Sequence, residues 1–196
     1  DTLLNLERDT VAQVSLVGSA HFPTAANRRR CITGSFCTMG KKGWGHFEVF
    51  LEIAGKSLND SAWKGSESTL GEKLLEPSVI YAPTILNVLK ENEVHAIAHI
   101  TGGGLPENVS RVLGKSFNAV IHQSSWETPR IFSEIQTLGS IDIDEMFRVF
   151  NMGIGMILIV PPNSTDRVIK ELAKHNKPAC VIGEIVEGSC QVEILR

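Results

Sequence analysis

The chain has 196 residues, 42% hydrophobic and 21% charged, which is the composition of a globular protein with a sizeable core. The formal net charge of -3 gives no reason to expect a nucleic-acid partner, and we interpret the basic run Arg28–Arg30 as a solvated loop. No apolar stretch has membrane-spanning length and no signal-peptide pattern opens the chain, so no membrane partner is expected. The chain also lacks an initiator methionine, which suggests a fragment or a processed product.

The first third of the chain has little sustained periodicity. Only 11–17 and the alternating stretch 47–53 have the pattern of strands. Pattern and turn chemistry agree with each other only beyond Thr69. We therefore expect an unassigned segment at 1–68 that contributes little to stability, and one cooperative domain at 69–196.

From Thr69 onward the chain alternates helical and strand patterns. The predicted elements are a helical stripe at 70–75, a helix at 79–89, a strand at 94–100, a helix at 106–113, a strand at 117–122, helices at 129–139 and 142–150, a strand at 156–160, a helix at 166–175, and strands at 179–186 and 191–195. This order predicts an α/β fold in which helices flank a mixed sheet.

The four cysteines indicate the redox environment. They form no Cys-x-x-Cys pair, so reduced thiols in a cytoplasmic protein are the expected state. Cys180 lies in an apolar run and is predicted to be a small core residue.

A glycine-rich loop stands between the strand at 94–100 and the helix that Pro106 begins. Gly102, Gly103 and Gly104 let the backbone turn there, and the following helix start points unpaired N–H groups at one spot. That arrangement suits an anion such as phosphate, although a tight turn with no ligand has the same pattern. Thr101 and Asn108 lie on either side of the loop and are predicted to bind substrate or phosphate with the three glycines.

His99 ends the strand and is the candidate for substrate hydrogen bonding or proton transfer, with a buried, satisfied histidine as the alternative. His95 is expected on the same sheet face, but no cysteine or carboxylate cluster accompanies the pair, so no metal site is expected. His122 would approach the loop if the two strands were neighbours, and the alternative is a surface turn. The turn at 151–156 is either structural or a wall of the ligand cleft.

Several collinear motifs resemble the phosphoribosylformylglycinamidine cyclo-ligases, also called aminoimidazole ribonucleotide synthetases. The resemblance covers 69–196 and corresponds to the family's C-terminal domain. It rests on these motifs: Leu-Gly-Glu-Lys-Leu-Leu-Glu-Pro at 70–77, Ile80-Tyr81, His-Ile-Thr-Gly-Gly-Gly-Leu-Pro-Glu-Asn at 99–108, Trp126 with Pro129, Ile131 and Phe132, Phe-Asn-Met-Gly-Ile-Gly-Met at 150–156, and Ile-Gly-Glu-Ile at 182–185.

The resemblance implies a cytoplasmic, homodimeric enzyme of purine biosynthesis. In that family ATP phosphorylates the amide oxygen of formylglycinamidine ribonucleotide, and a nitrogen then displaces phosphate to close the imidazole ring. The products are aminoimidazole ribonucleotide, ADP and phosphate. The resemblance implies that His99, Thr101, Gly102–Gly104 and Asn108 line the cleft. Most ligands of ATP and Mg²⁺ are expected on an N-terminal domain.

Two departures leave alternatives open. The family's acidic N-terminal domain is absent, and nothing in 1–68 matches the segment expected before Leu70, so 1–68 is divergent, foreign or an out-of-frame reading. The alternative functions are a related ATP-dependent enzyme, of the thiamine-monophosphate kinase or selenophosphate synthetase type, or a non-catalytic fragment that binds phosphate or dimerises. The departures predict that the chain alone is inactive.

Overall fold

The computed structural model describes residues 14–20, 55–74 and 79–196, and of 14–20 the backbone only. The described strands are β1 (Val14–Ala20), β2 (Ala96–His99), β3 (Phe117–His122), β4 (Ile154–Val160), β5 (Cys180–Glu187) and β6 (Val192–Leu195). The described α-helices are α1 (Leu70–Leu74), α2 (Ala82–Glu91), α3 (Gly104–Ser110), α4 (Arg130–Gly139), α5 (Ile143–Val149) and α6 (Thr165–Lys174). None of these helices has the length and apolar character needed to cross a bilayer.

The six strands form one mixed sheet in the order β2-β4-β1-β5-β3-β6. Every neighbouring pair is antiparallel except β3 and β6, which run parallel. Among the described strands, β2 lies at one edge, and three strands separate it from β3. The predicted α/β fold, with helices flanking a mixed sheet, is confirmed.

The core lies on both faces of β4, whose residues are all buried. Ile157 and Ile159 belong to an apolar cluster that includes buried residues of α3, α4 and α5. Leu158 and Val160 belong to a second cluster, with buried residues of α2 and α6. Because alternate side chains of a strand point to opposite faces, an apolar run without alternation is typical of a strand covered on both sides. Each fully buried aliphatic side chain contributes about 1.5–3 kcal/mol.

The boundaries of α3 differ from the prediction because the glycines change where the helix begins. The helix starts at Gly104, not at Pro106, and Pro106 occupies its first turn, where the missing N–H costs nothing. It ends at Ser110 because the next bonds, from Val112 N–H to the Val109 carbonyl and from Leu113 N–H to the Ser110 carbonyl, span three residues. β3, in contrast, has the predicted bounds.

β1 is the described element that differs most from expectation. It overlaps the strand pattern at 11–17, and it pairs with β4 on one side and β5 on the other, inside the sheet. This placement disagrees with the expectation that 1–68 contribute little to stability. No local sequence pattern predicts the pairing, because the partners of β1 lie more than 130 residues away along the chain. The strand pattern at 47–53 lies outside the described residues. The domain boundary at Thr69 stays a prediction.

Removing 1–68 is expected to destabilise the protein. A chain of 69–196 lacks β1, which would expose the facing edges of β4 and β5. We expect a loss of several kcal/mol, comparable to the whole stability of a small domain, measured by urea unfolding. A chain lacking only 1–13 is the control, since it keeps β1 and measures what the first 13 residues contribute. Equal stability of the 69–196 chain and the full chain would contradict the expectation.

Candidate functional site

The site begins where β2 ends, at His99. The imidazole is exposed, and its described ring contact is an edge-on approach to Tyr81, with the ring centroids 6.0 Å apart. Exposure excludes the alternative of a buried, satisfied histidine. His95 is the more enclosed residue, with its side chain 10% exposed and its Nε2 3.1 Å from the carboxylate of Glu93. His99 is therefore accessible to a substrate at this end of the sheet.

Two glycines after β2 have conformations that other residues adopt only with strain. Gly103 has φ of 92° and Gly104 has φ of 58°, both in the left-handed region. A Cβ at Gly104 would also overlap the carbonyl oxygen of Phe147, at the end of α5. Glycine is therefore required at position 104 for two reasons, its left-handed φ and the close approach of α5.

The side chain of Asn108 holds the loop from inside. Its Nδ2 lies within hydrogen-bond distance of three carbonyl oxygens, those of Thr101 at 3.2 Å, Gly102 at 3.1 Å and Gly104 at 2.8 Å. Its Oδ1 accepts a hydrogen bond from the Thr101 hydroxyl at 3.2 Å. The structure thus brings Thr101 and Asn108 together, but they bind each other and the loop backbone. Their contribution to a ligand site is the shape of the loop.

The backbone of the loop keeps donors for a ligand. Within the described part of the chain, the amides of Gly102 and Gly103 make no hydrogen bond. Arg111, which directly follows α3, donates from Nη1 to the Asn108 Oδ1 at 3.1 Å and from Nη2 to the carboxylate of Glu107. Two amides and one guanidinium could hold a phosphate oxygen here.

In the described conformation of the loop, the negative carboxylate of Glu107 would repel a phosphate bound there. A Cβ at Gly103 would overlap the Glu107 carboxylate, so the negative group lies against the loop. Glu107 and Arg111 are both more than half exposed, and exposed ion pairs of this kind contribute about 0.3–0.5 kcal/mol. An arriving anion can therefore displace Glu107 from Arg111 at little cost.

The glycine-bearing turn at 151–156 packs against the glycine-rich loop. The turn is fastened by hydrogen bonds from the Trp126 indole N–H to the Met152 carbonyl (2.9 Å) and from the Gly153 amide to the Asn151 Oδ1 (3.1 Å). The Nδ2 of Asn151 is fully buried and has no partner among the described residues. Ile100 N–H donates to the Gly155 carbonyl at 3.0 Å, which ties the two turns together. The turn is therefore structural and also lies beside the candidate cleft.

Tyr81 closes one side of the site. Its hydroxyl lies over Gly155, where a Cβ would overlap it, and its ring contacts His99. Burial raises the pKa of Tyr81 to about 12, so the phenol is neutral at physiological pH. Gly155 therefore provides the space that positions the Tyr81 phenol next to His99.

Other candidates do not join this site. His122 ends β3, which is four interstrand steps of about 4.8 Å from β2, or about 19 Å away, so the condition that the two strands be neighbours is not met. Burial raises the pKa of the half-buried Cys180 thiol, as suits a packing residue rather than a nucleophile. The described residues contain no group of three or more His, Cys, Asp or Glu that could hold a metal ion.

Two residues of the site were missed as functional candidates in the sequence. Arg111 follows Asn108 by three positions and Glu107 by four, a spacing that places all three on one helix face and could have identified it. Tyr81 gave no such signal, because its approach to His99 depends on how α2 packs over β2 and β4.

Replacing Asn108 by Asp should loosen the loop. The change removes the Nδ2 donor that three carbonyl oxygens share, of which the Thr101 oxygen keeps the Gly104 amide as a donor, and places a carboxylate among them. We expect a loss of about 1–3 kcal/mol or more in urea unfolding. The exposed Asn59, replaced by Asp, is the control for the added charge. Equal stabilities of the two variants would contradict the role given to Asn108.

The titration of Tyr81 tests its burial directly, since it is the only tyrosine in the sequence. Absorbance at 295 nm should report phenolate formation near pH 12 in the folded chain and near pH 10 in denaturant. Because folding favours the neutral phenol, its stability contribution is fully present below about pH 10 and is lost as pH rises towards 12. A midpoint near 10 in the folded chain would show that the hydroxyl is hydrated.

Comparison with known proteins identifies the family. The family described as "AIR synthase related protein, C-terminal domain" matches residues 34–194. The phosphoribosylformylglycinamidine cyclo-ligase of Geotalea daltonii is 42% identical over 146 residues, which are 74% of this chain and 42% of that protein. The enzyme of the same name from Geobacter sulfurreducens is 40% identical over 183 residues, 86% of this chain and 53% of that protein. The chain thus spans about half the length of these relatives.

Solved structures show the same fold at low sequence identity. The hydrogenase maturation protein HypE of E. coli superposes with a TM-score of 0.57 at 19% identity, over 94% of this chain and 46% of that one. Thiamine-monophosphate kinase from Stenotrophomonas maltophilia gives 0.57 at 15% identity, over 92% and 49%. The family match begins at residue 34, ahead of the predicted boundary at Thr69. The resemblance seen in the motifs is confirmed, and the chain belongs to the AIR synthase related proteins, whose C-terminal domain it contains.

Proposed function

We propose that this chain is the C-terminal half of an ATP-dependent phosphoribosylformylglycinamidine cyclo-ligase in purine biosynthesis. The observation that carries the proposal is the identity of about 40% to relatives of that name, over 74% to 86% of this chain. The same proposal includes formylglycinamidine ribonucleotide and ATP as substrates, a homodimer and a cytoplasmic location, all of which come from the resemblance.

The reaction needs a bound phosphate and a group that moves a proton. ATP transfers its terminal phosphoryl group to the amide oxygen of the substrate, a nitrogen attacks the same carbon, and phosphate leaves with the oxygen. We assign phosphate binding to the amides of Gly102 and Gly103 with the guanidinium of Arg111, as supported by their free or exposed donors. Thr101, Gly104 and Asn108 fix the conformation of this loop.

His99 is the proposed catalytic residue. Its exposed imidazole lies at the end of β2, three residues before Gly102, and we propose that it reaches a substrate whose phosphate the loop holds. Its role would be to hydrogen-bond the substrate and to accept or donate the proton that ring closure moves. The neutral phenol of Tyr81 contacts the imidazole edge-on and limits how it can turn.

Magnesium does not fit the described residues, since they offer no cluster of metal-binding side chains. We expect the ligands of the metal on the half of the relatives that this chain does not span. The second candidate function is therefore that the 196-residue chain alone binds phosphate without catalysing the reaction.

Joining the missing half tests the proposal. The part of the Geobacter sulfurreducens enzyme that precedes its match to this chain would be fused ahead of residue 1; we call this the joined protein. With formylglycinamidine ribonucleotide, ATP and Mg²⁺, the joined protein should release ADP and the 196-residue chain should not. ADP release by the chain alone would contradict the division of the site between two halves.

His99→Ala in the joined protein should lower kcat/KM by about one to three orders of magnitude, because the substrate loses its proton-transfer group. His122→Ala is the matched control, since that exposed histidine lies four strands away, and it should leave kcat/KM unchanged. Equal kcat/KM values for the two variants would remove His99 from catalysis.

A further inference from the structure

Helix α2 has two apolar faces, and the fold uses one of them. Thr84, Ile85 and Val88 are buried towards the sheet. A second stripe, Ala82, Leu86 and Leu89, recurs at intervals of four and three residues and is exposed, with Leu86 at 60% and Leu89 at 43%. Residues at this spacing share one side of a helix. Ile80, just before the helix, is 75% exposed. These four residues are here called the α2 stripe.

Among the described residues, exposed apolar side chains are concentrated in the α2 stripe. Six large hydrophobic residues are exposed in the described part, and three of them are Ile80, Leu86 and Leu89. The other three, Leu58, Val181 and Leu195, lie on separate elements. Scattered exposed apolar residues are ordinary, but a contiguous group marks a surface that a partner covers.

An edge of the described sheet lies next to the stripe. β2 pairs with β4 on one side, and no other described strand pairs with it. The contact between Tyr81 and His99 places the start of α2 beside the end of β2. A strand edge without a described partner and an exposed apolar helix face, side by side, are both surfaces that a further element would stabilise.

We propose that the α2 stripe is the docking surface for the N-terminal half of the cyclo-ligase polypeptide. The chain matches a C-terminal domain and spans 42% and 53% of two relatives, so about half of each relative is available to cover it. The stripe starts beside His99, the end of the molecule where the described residues lack metal-binding carboxylates. The identity of the partner rests on the proposed function; the existence of the docking surface does not.

Accessibility of a thiol placed on the stripe tests the proposal. Leu86→Cys would be made in the 196-residue chain and in the joined protein, and its rate of maleimide labelling read by peptide mass spectrometry, which separates it from the native cysteines. Docking should slow labelling about tenfold or more in the joined protein, because a buried thiol is inaccessible to the reagent. Leu195→Cys, on an exposed residue of β6, is the matched control and should label at the same rate in both proteins.

Equal labelling of Leu86→Cys in both proteins would overturn the proposal. Slow labelling in the 196-residue chain itself would also overturn it; sedimentation would then distinguish a second copy of the chain from a segment of the same chain as the occupant. ADP release is measured on the same joined protein, so protection without turnover would contradict the proposed function and leave the docking surface supported.

Discussion

The close packing of Gly104 against α5 is the constraint on which the candidate site depends. The Phe147 carbonyl occupies the space where a Cβ would stand, which fixes the end of the loop against α5. Asn108 fixes the remainder, since the two hydrogens of its Nδ2 are shared among three loop carbonyls. Each buried carbonyl without a donor would cost about 1–3 kcal/mol, so the conformation of the loop is set before any ligand arrives. A loop that is shaped in advance does not have to be ordered by its ligand.

Two exposed side chains of opposite charge lie beside the loop. Glu107 lies against Gly103 and pairs with Arg111, so a negative group occupies the position that we assign to phosphate. Both side chains are largely exposed, and such a pair is weak. A phosphate would replace one anion by another and keep Arg111 as the common cation. This exchange uses surface side chains alone and leaves the Asn108 contacts intact.

The two sides of the sheet have different tasks. The face covered by α3, α4 and α5 contains the larger apolar cluster and fixes the loop. The face covered by α2 and α6 contains the smaller one, and α2 presents apolar residues outward as well as inward. Tyr81 connects α2 with the candidate site, because it immediately precedes α2 and contacts His99. A partner bound to α2 would therefore lie next to the exposed imidazole.

The sequence by itself determined the elements that have a strong local pattern. The bounds of β3, the apolar run of β4 and the glycine loop follow from apolar periodicity and glycine placement, which act over a few residues, whereas the sequence left open whether His99 is buried or exposed. The motifs at 99–108 and 150–156 also identified the family. Only the tertiary structure decided the rest: β1 lies inside the sheet, Asn108 binds the loop, Tyr81 reaches His99, and β3 lies far from β2. These depend on pairings between residues distant in the chain, and the energy of such a pairing is not contained in either segment alone.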